Sequence, residues 1–363
     1  MGRQVLSVIP YYGGKAKMND LIVDLLDYEN TDIYIEPFGG GARTLLNKPR
    51  HKVECMNDLS TGIRALFTVL TKEDTTKQLM DFLYKTHYSI EWFNWALDYR
   101  NSIEDNAFGE IKRQMLAFIK KISPSLFEDF KKYKDSSYIE NAIKELKISP
   151  DDKKRAKILL TRYFAIKGNK NLHELKFNEA FNEKDYNIIE HAAATFIVYQ
   201  MSRDAMGKYF SKHRFKNDDA YYSRVDNLLE ASHRLRGVEI TSYDAFDFFN
   251  EDEDTILNNS RVMVYCDPTY LSEADVESYI KTRQDYNPGK VYKNYWTYTE
   301  HELFLQKIQM AKCKILVSNY RDRTRLYDRY LNSEYGWKSI EYNTYTTING
   351  RASARTEVLW YNY

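Results

Sequence analysis

The sequence contains little cysteine and no long apolar run. Its 363 residues include three cysteines, none of which forms a Cys-x-x-Cys pair. So few cysteines argue against a small secreted protein that is stabilised by disulfides. They fit buried free thiols in a reducing compartment. The seven histidines are scattered, so the sequence predicts no metal site. An apolar N-terminal segment and a membrane-length hydrophobic run are also missing, so we expect a cytoplasmic protein without a membrane partner.

Excess positive charge is nearly absent as well. The formal net charge is +1, which by itself argues against nucleic-acid binding. Basic residues nevertheless crowd one central stretch between Lys112 and Lys170, whereas Glu251–Asp254 concentrates negative charge. Tyrosine occurs 31 times, and its ring stacks on bases while its hydroxyl bonds to phosphates. The uneven charge distribution keeps nucleic acid open as a partner, although a solvated helical face would have the same composition.

The two ends of the chain alternate between helix-like and strand-like segments. Residues 1–72 have the pattern of helix, strand, glycine loop, helix, strand and helix, and strand-like runs return at 238–242, 262–266, 314–317 and 356–361. The segment 73–235 instead places apolar residues at helical spacing. The sequence therefore predicts a discontinuous α/β domain over 1–72 and 236–363, with a Rossmann-like parallel sheet. A mostly helical domain over 73–235 is predicted to interrupt it.

The most informative motif follows the strand-like run Arg261–Cys266. The tetrapeptide Asp267–Tyr270 comes directly after this run, where a parallel sheet presents its carboxyl edge to a ligand crevice. The Asp267 carboxylate and the Pro268 carbonyl can accept hydrogen bonds from an amine, and Tyr270 supplies a flat face for stacking. The motif predicts a site for a planar amine, with a plain Asp-Pro turn as the alternative interpretation.

A glycine loop follows another strand-like run, Ile33–Ile35. Glu36 and Pro37 end this run, and Gly39–Gly41 open toward a helix, so the backbone can approach a ligand closely. Asp58 ends the next strand-like run, at the place where an acid holds the ribose hydroxyls of a nucleotide. Together these features favour a nucleoside-containing cofactor, although the glycines alone are equally consistent with a tight turn.

A third segment, Pro10–Lys15, combines two tyrosines, two glycines and a lysine. One interpretation is a turn before a helix over Lys17–Tyr28. The functional interpretation places Tyr11 against a cofactor ring and Lys15 near a carboxylate or phosphate.

Taken together, these segments resemble the Dam-like family of N6-adenine DNA methyltransferases. The matching segments are Tyr11–Lys15, Glu36–Ala42, Asn57–Asp58, Asp267–Tyr270, Leu316–Asn319 and Ile348–Trp360. The middle third matches only weakly, around Tyr199–Gly207. The family usually has Asp-Pro-Pro-Tyr where this chain has Thr269, and because threonine lacks the fixed φ of proline, we expect a less rigid loop.

The resemblance implies methyl transfer from S-adenosylmethionine, without a metal, to the exocyclic N6 amine of an adenine flipped out of double-stranded DNA. It implies catalytic roles for Asp267, Pro268 and Tyr270 and a possible restriction endonuclease as partner. The residues that it implies for cofactor binding are Tyr11, Lys15, Glu36, Phe38, Gly39, Gly41, Asp58, Asp244 and Asp267. Arg203 and Lys208 are the implied DNA contacts, while Ser318, Asn319, Arg355 and Glu357 are equally consistent with structural roles.

Two alternative functions stay open at this point. An Asp-Pro-x-aromatic motif can hold any planar amine, so a methyltransferase of the same fold could act on RNA or on a protein amide. The second alternative is a DNA-binding homologue with weakened catalysis, which the replacement of the second proline by Thr269 would indicate. The basic central stretch favours nucleic acid, and the order of the motifs favours DNA.

Overall fold

A computed structural model describes residues 5–11, 13, 15, 18–103, 120–121, 123–125, 145–148, 187–203, 207–251, 256–282, 296–348 and 351–363, without the side chains of 247, 250–251, 344–348 and 351–355. Seven strands form one sheet. They are β1 (Ile33–Glu36), β2 (Val53–Asn57), β3 (Glu239–Thr241), β4 (Val262–Cys266), β5 (Lys314–Tyr320), β6 (Lys338–Ile348) and β7 (Arg351–Tyr361).

The strand order is β3-β2-β1-β4-β5-β7-β6. The pairs from β3 to β5 are parallel, whereas β7 runs antiparallel to both β5 and β6. Because β1 has β2 on one side and β4 on the other, the chain order reverses between β1 and β4. Ligands of open α/β sheets bind outside the carboxyl ends of the strands at such a point. The predicted mixed α/β fold with a mostly parallel sheet is thus confirmed, and this sheet is consistent with a Rossmann-like fold.

Alternate residues of the central strands face two separate hydrophobic cores. Met263 and Tyr265 of β4 belong to one core, and Val262, Val264 and Cys266 belong to the other. All five residues of β4 are buried, as expected for a parallel strand that is covered on both faces. This double burial explains why the run reads as continuously apolar in the sequence.

Helices cover both faces of the sheet. The described helices are Asn19–Leu25, Arg43–Asn47, Thr61–Leu70, Glu73–Leu83, 90–103, Ile188–Met201, Asp218–Asp226, Leu228–Leu235, Ala245–Glu251, Glu273–Thr282, Tyr298–Ile308 and Leu326–Tyr330, with a 3-10 turn at Ser333–Tyr335. None of the helices within the described ranges is long and apolar enough to cross a membrane.

Several helices of the segment 73–235 pack in the same core as the sheet. The helix Ile188–Met201 is buried from His191 to Met201, as expected for a helix that is apolar on all sides. The side chain of Asn187 accepts hydrogen bonds from the first turn and caps this helix. Leu79, Phe196 and Leu235 share one core with Met263 of β4. The described ends of the predicted insert therefore pack directly on the α/β unit, while much of its middle lies outside the described residues.

The edge hairpin differs from the sequence-based prediction. We predicted a single final strand over 356–361, whereas β7 begins at Arg351 and pairs along its length with β6. The β6 segment was not predicted because its polar and aromatic residues, ending in Thr-Tyr-Thr-Thr-Ile, resemble an exposed edge more than a buried strand. This hairpin brings Glu357 opposite Tyr320, at the carboxyl end of β5.

Candidate active site

The glycine loop and the Asp267–Tyr270 segment lie next to each other. They follow β1 and β4, which pair in parallel register from Ile33 with Val262 onward. The ring of Phe38 in the glycine loop meets Trp296 edge-on, with centroids 5.0 Å apart. The backbone N–H of Trp296 in turn donates to the Thr269 hydroxyl at 3.0 Å. Two segments that are remote in sequence therefore lie side by side at the carboxyl edge of the sheet, where open α/β sheets bind ligands, and the region between them is called the crevice.

Lys15 reaches into this crevice and contacts Asp267. Its Nζ lies 2.8 Å from Asp267 Oδ2 and 2.7 Å from Oδ1, and it also donates to the carbonyl of Gly13 at 2.8 Å. The same ammonium lies over the ring of Tyr270, 4.3 Å from its centroid. The Lys15 nitrogen thus binds the Asp267 carboxylate and also lies on the face of the Tyr270 ring. The neighbouring motif residues Tyr12 and Gly14 lie outside the described residues.

Tyr270 is fixed by Glu357, which comes from the edge strand β7. The Tyr270 hydroxyl donates to Glu357 Oε1, and this carboxylate oxygen lies 3.7 Å from Lys15 Nζ. Burial raises the pKa of Glu357, while the charge of Lys15 and the hydrogen bond from Tyr270 oppose the rise. Desolvation and the nearby charges of Asp267 and Glu357 hold the pKa of Tyr270 well above its ordinary value. The phenol therefore stays protonated and acts as a hydrogen-bond donor.

The end of β5 supports the same segment from the other side. Ser318 Oγ donates to Asp267 Oδ1 at 2.8 Å, and Asn319 Oδ1 accepts the backbone N–H of Leu271 at 3.2 Å. The amide of Asn319 donates to the Tyr327 hydroxyl at 2.9 Å, which contacts His301 Nδ1 at 2.8 Å. Both polar residues of the segment Leu316–Asn319 thus hold the loop after β4, a role that the sequence left undecided.

Tyr11 packs directly on the glycine loop. A Cβ placed on Gly40 would lie 2.8 Å from Tyr11 Cε1, and one placed on Gly41 would lie 3.0 Å from Tyr11 Cβ. Gly40 has a φ of +50°, a conformation that favours glycine. The Tyr11 ring also contacts Tyr199, with centroids 5.6 Å apart. The glycines are therefore needed for the close approach of an aromatic ring to the loop backbone.

Asp58 and Asn57 bind the loops at the ends of β1 and β3. Asp58 is buried, and its carboxylate accepts the backbone N–H groups of Gly40 at 2.7 Å and Ser60 at 2.8 Å. Burial raises the pKa of Asp58, and these two hydrogen bonds oppose the rise. Asn57 donates to the carbonyls of Pro37 and Tyr243, both at 3.0 Å. Asp58, the acid that the sequence predicts beside a ribose, thus holds the glycine loop through its hydrogen bond with Gly40.

Glu36 lies beneath the crevice. It is 3% exposed, and its carboxyl oxygen Oε1 accepts the Tyr34 hydroxyl at 2.6 Å. Burial raises the pKa of Glu36 to about 7, against the hydrogen bond from Tyr34 and the charge of Lys48. A group that titrates this close to neutrality changes charge under ordinary conditions.

An aromatic cluster lines the side of the crevice near β3. Phe246 stacks on Trp296 at a centroid distance of 5.0 Å and an angle of 24°, and Trp296 in turn meets Phe38 edge-on. Asp244 precedes this cluster and accepts the backbone N–H of Phe246 at 2.9 Å. The sequence reasoning included Phe38 and Asp244 but missed Trp296 and Phe246. Their signal is weak, because each is one aromatic among many in this tyrosine-rich chain.

Arg203 and Lys208 lie on a turn at the end of the helix Ile188–Met201. A β-bridge joins Ser202 and Phe210, and the backbone N–H of Arg203 donates to the carbonyl of Tyr209 at 2.8 Å. Arg203 is exposed, Lys208 is half-buried, and Tyr209 is 62% exposed. The turn begins directly after the helix that carries Tyr199, the residue in contact with Tyr11. Most of the basic stretch between Lys112 and Lys170, like the Arg355 side chain, lies outside the described residues.

Within the described part of the chain, no group of three or more His, Cys, Asp and Glu side chains could hold a metal ion. The three cysteines are buried and free. Compared with known proteins, the chain matches no family model and no curated protein at a significant level. The contacts at the strand ends are therefore the basis for assigning a function.

Proposed function

We propose that the protein is a site-specific DNA methyltransferase that acts on the N6 amine of adenine and uses S-adenosylmethionine. The observation that carries the proposal is the arrangement of Asp267, Tyr270 and the glycine loop around one crevice. The Lys15 ammonium donates to the Asp267 carboxylate and lies over the Tyr270 ring. Lys15 thus already contacts a carboxylate acceptor and an aromatic face. These are the two features that a bound adenine requires, the first for its amine and the second for its ring.

The Asp267 carboxylate retains capacity for a second nitrogen donor. An ionised carboxylate offers about four lone-pair sites. Lys15 contacts both oxygens, and Ser318 donates to Oδ1. Among the described residues Oδ2 therefore has Lys15 as its donor and keeps a lone pair for an incoming amine, and the Asp267 side chain is 22% exposed. Lys15 and the target amine can share this carboxylate.

The residues around the glycine loop fit the proposed cofactor by their donor set. Tyr11 and Phe38 supply aromatic rings, Gly39–Gly41 form the loop on which Tyr11 packs, and Asp58 supplies a buried carboxylate after β2. Lys15 supplies a positive charge at this site, where it pairs with Asp267. When bound, S-adenosylmethionine supplies an activated methyl group. These residues would hold it beside Asp267, together with Glu36, Gly39, Gly41 and, for its adenine amine, Asp244.

The protein's contribution to the reaction is orientation. The adenine amine is a poor nucleophile because its lone pair is delocalised into the ring. Hydrogen bonds from this amine to Asp267 and to the Pro268 carbonyl favour a tetrahedral nitrogen and so localise the lone pair. Positioning of two reactants can contribute about 7–11 kcal/mol to lowering the barrier. Stacking on Tyr270 offsets part of the unstacking cost of a flipped base, a few kcal/mol.

Duplex DNA is the proposed substrate because the turn with Arg203 and Lys208 adjoins the helix that carries Tyr199. An exposed arginine beside an exposed tyrosine suits contacts to phosphate and base. RNA and protein amides present the same planar amine to Asp267, so the substrate assay includes them.

The test is transfer of a labelled methyl group from S-adenosylmethionine to duplex DNA, RNA or protein. We expect label in DNA, recovered as N6-methyladenine. Asp267→Ala should reduce the rate by about a thousandfold or more, because it removes the acceptor of the amine. Asp32→Ala is the matched control: Asp32 precedes β1 at the opposite edge of the sheet and pairs with Lys52 and Arg261, so its rate should stay near that of the wild type.

Other outcomes separate the alternatives. Label in RNA or protein but not in DNA would assign the substrate to one of those classes. A protein that binds DNA and transfers label to none of the three substrates is the non-catalytic homologue.

A further inference from the structure

The Thr269 hydroxyl makes a contact that a proline at the same position cannot make. Its Oγ1 accepts the backbone N–H of Trp296 at 3.0 Å, across 27 residues of sequence. Both residues are half-buried, so the hydrogen bond is partly shielded from water. An N–H group that loses its partner in such a place pays a desolvation penalty.

Trp296 is also fixed on its C-terminal side. Thr297 caps the helix Tyr298–Ile308 in a capping box, in which its side chain accepts the Glu300 N–H and the Glu300 side chain accepts the Thr297 N–H. Such reciprocal bonds fix the first turn of a helix. Trp296 is therefore held by a rigid helix start on one side and by Thr269 on the other.

The position of Trp296 determines the aromatic side of the crevice. Its ring stacks on Phe246 and meets Phe38 and Phe304 at steep angles, with centroid distances of 5.0 Å to 5.3 Å. Phe38 belongs to the glycine loop, and Phe246 follows Asp244. A displacement of Trp296 would therefore change the aromatic surface between the glycine loop and Asp244, which follows β3.

We propose that Thr269 is a positioning residue that fixes Trp296 as a wall of the purine side of the cofactor site. The inference rests on the proposed function, because it takes that side of the crevice to hold the adenosine of S-adenosylmethionine. Threonine at this position then replaces the rigidity of a second proline with a side-chain tether. Thr269 acts through Trp296, and its effect falls on cofactor affinity rather than on the methyl-transfer step.

The test measures the affinity of the full-length protein for S-adenosylhomocysteine by calorimetry, together with kcat at saturating S-adenosylmethionine. Thr269→Val keeps the shape and removes the acceptor, and we expect about tenfold weaker binding, equivalent to about 1.4 kcal/mol. Thr269→Pro should weaken binding similarly. Thr269→Ser retains the hydroxyl and should stay within about twofold of the wild type. For all three variants kcat should change by less than about threefold.

A double variant tests whether Thr269 acts through Trp296. Trp296→Ala should weaken binding at least as much as Thr269→Val, and adding Thr269→Val to Trp296→Ala should have little further effect. Full additivity would overturn the inference, because residues in one contact are coupled whereas independent residues add.

The outcomes distinguish this inference from the proposed function. A wild-type protein that binds no S-adenosylhomocysteine and transfers no methyl group contradicts both. A wild-type protein that binds and transfers, with Thr269→Val and Thr269→Pro binding equally well, contradicts the role of Thr269 alone. Circular dichroism and the melting temperature of each variant establish that it is folded.

Discussion

Two buried lysine–carboxylate networks in this protein have similar chemistry and different surroundings. One network consists of Lys48, Glu54 and Arg234, where Lys48 and Glu54 have side chains 0% and 3% exposed. The other consists of Lys15, Asp267 and Glu357, where the Asp267 side chain is 22% exposed. The first lies within the packed core beside β1 and β2. The second lies at the carboxyl edge of the sheet, beside the glycine loop.

The networks differ in how many donors the central carboxylate binds and in how exposed that carboxylate is. Arg234 binds both oxygens of Glu54 at 2.7 Å and 3.0 Å, and Lys48 also donates to this carboxylate. In the second network Asp267 accepts from Lys15 and Ser318 among the described residues, and its side chain is 22% exposed against 3% for Glu54. A buried ion pair therefore does not by itself mark a functional site. Partial exposure and a place at the carboxyl ends of the strands distinguish the second network.

The largest effect is expected from neutralising one carboxylate in each network. Glu54→Gln leaves Lys48 and Arg234 buried without a carboxylate, so unfolding free energy should fall by about 3–5 kcal/mol. Glu357→Gln keeps an acceptor for Tyr270 and leaves Lys15 paired with Asp267, so it should cost about 1 kcal/mol or less. Its kcat should nevertheless fall about tenfold, because Tyr270 is less firmly held. Urea unfolding and the methyl-transfer assay measure the two quantities. Equal losses of stability in both variants would contradict the comparison.

A pH-dependent effect is expected from Glu36, whose pKa burial raises to about 7. Between the ordinary carboxyl pKa of about 4.3 and this value, the folded state holds a proton that the unfolded state has lost. Stability from this group therefore falls as pH rises through that window. Glu36→Gln should become more stable relative to wild type from pH 5 to pH 8, by at most about 3 kcal/mol.

Glu54 is the control for this titration. Burial opposes its ionisation, but the hydrogen bonds from Arg234 and Lys48 outweigh burial and lower the pKa of Glu54. The penalty of Glu54→Gln should therefore shrink as pH falls below 5, the opposite direction to the Glu36 effect, and also as pH approaches the pKa of Lys48, which burial lowers to about 8. A stability difference for Glu36→Gln that does not change with pH would show that Glu36 titrates normally.

A smaller effect is expected at Gly40, where a Cβ would lie 2.8 Å from the Tyr11 ring at a φ of +50°. Gly40→Ala should cost about 1 kcal/mol of stability from backbone strain and weaken S-adenosylhomocysteine binding about tenfold. Gly336→Ala is the matched control, since its φ is +78° and no atom lies within 4 Å of the added Cβ. Its stability should fall similarly while binding is unchanged. Equal affinity of both variants for S-adenosylhomocysteine would contradict a role of the glycine loop in cofactor binding.

The sequence predicted the local structure of the crevice better than its contacts. Ile33–Ile35 and Val262–Cys266 are apolar runs that end at a proline motif, so their strands and the loops after them follow from local chemistry. Local motifs likewise indicate Lys15 and Asp267 as candidate site residues. Their direct contact depends on the reversal of strand order between β1 and β4, which no local pattern contains.

Glu357, whose role the sequence left open, and Trp296, which the sequence missed, come from an edge strand and an irregular segment. Glu357 reaches Tyr270 only because β7 runs antiparallel to β5 and places it opposite Tyr320. Trp296 depends on a hydrogen bond to a side chain 27 positions earlier. Both positions follow from long-range packing, for which residue spacing along the chain gives no signal. The expectation of a looser loop at Thr269 likewise took no account of this hydrogen bond.

The most direct measurement of the central claim is the N6-methyladenine content of DNA from cells that express the protein and lack adenine methylation of their own. Nucleoside mass spectrometry should find the modified base with the wild type, at one sequence context, and none above background with Asp267→Ala. Absence of the base in cells that contain folded wild-type protein, or its persistence with Asp267→Ala, would contradict the assignment of the strand-end crevice to adenine methylation.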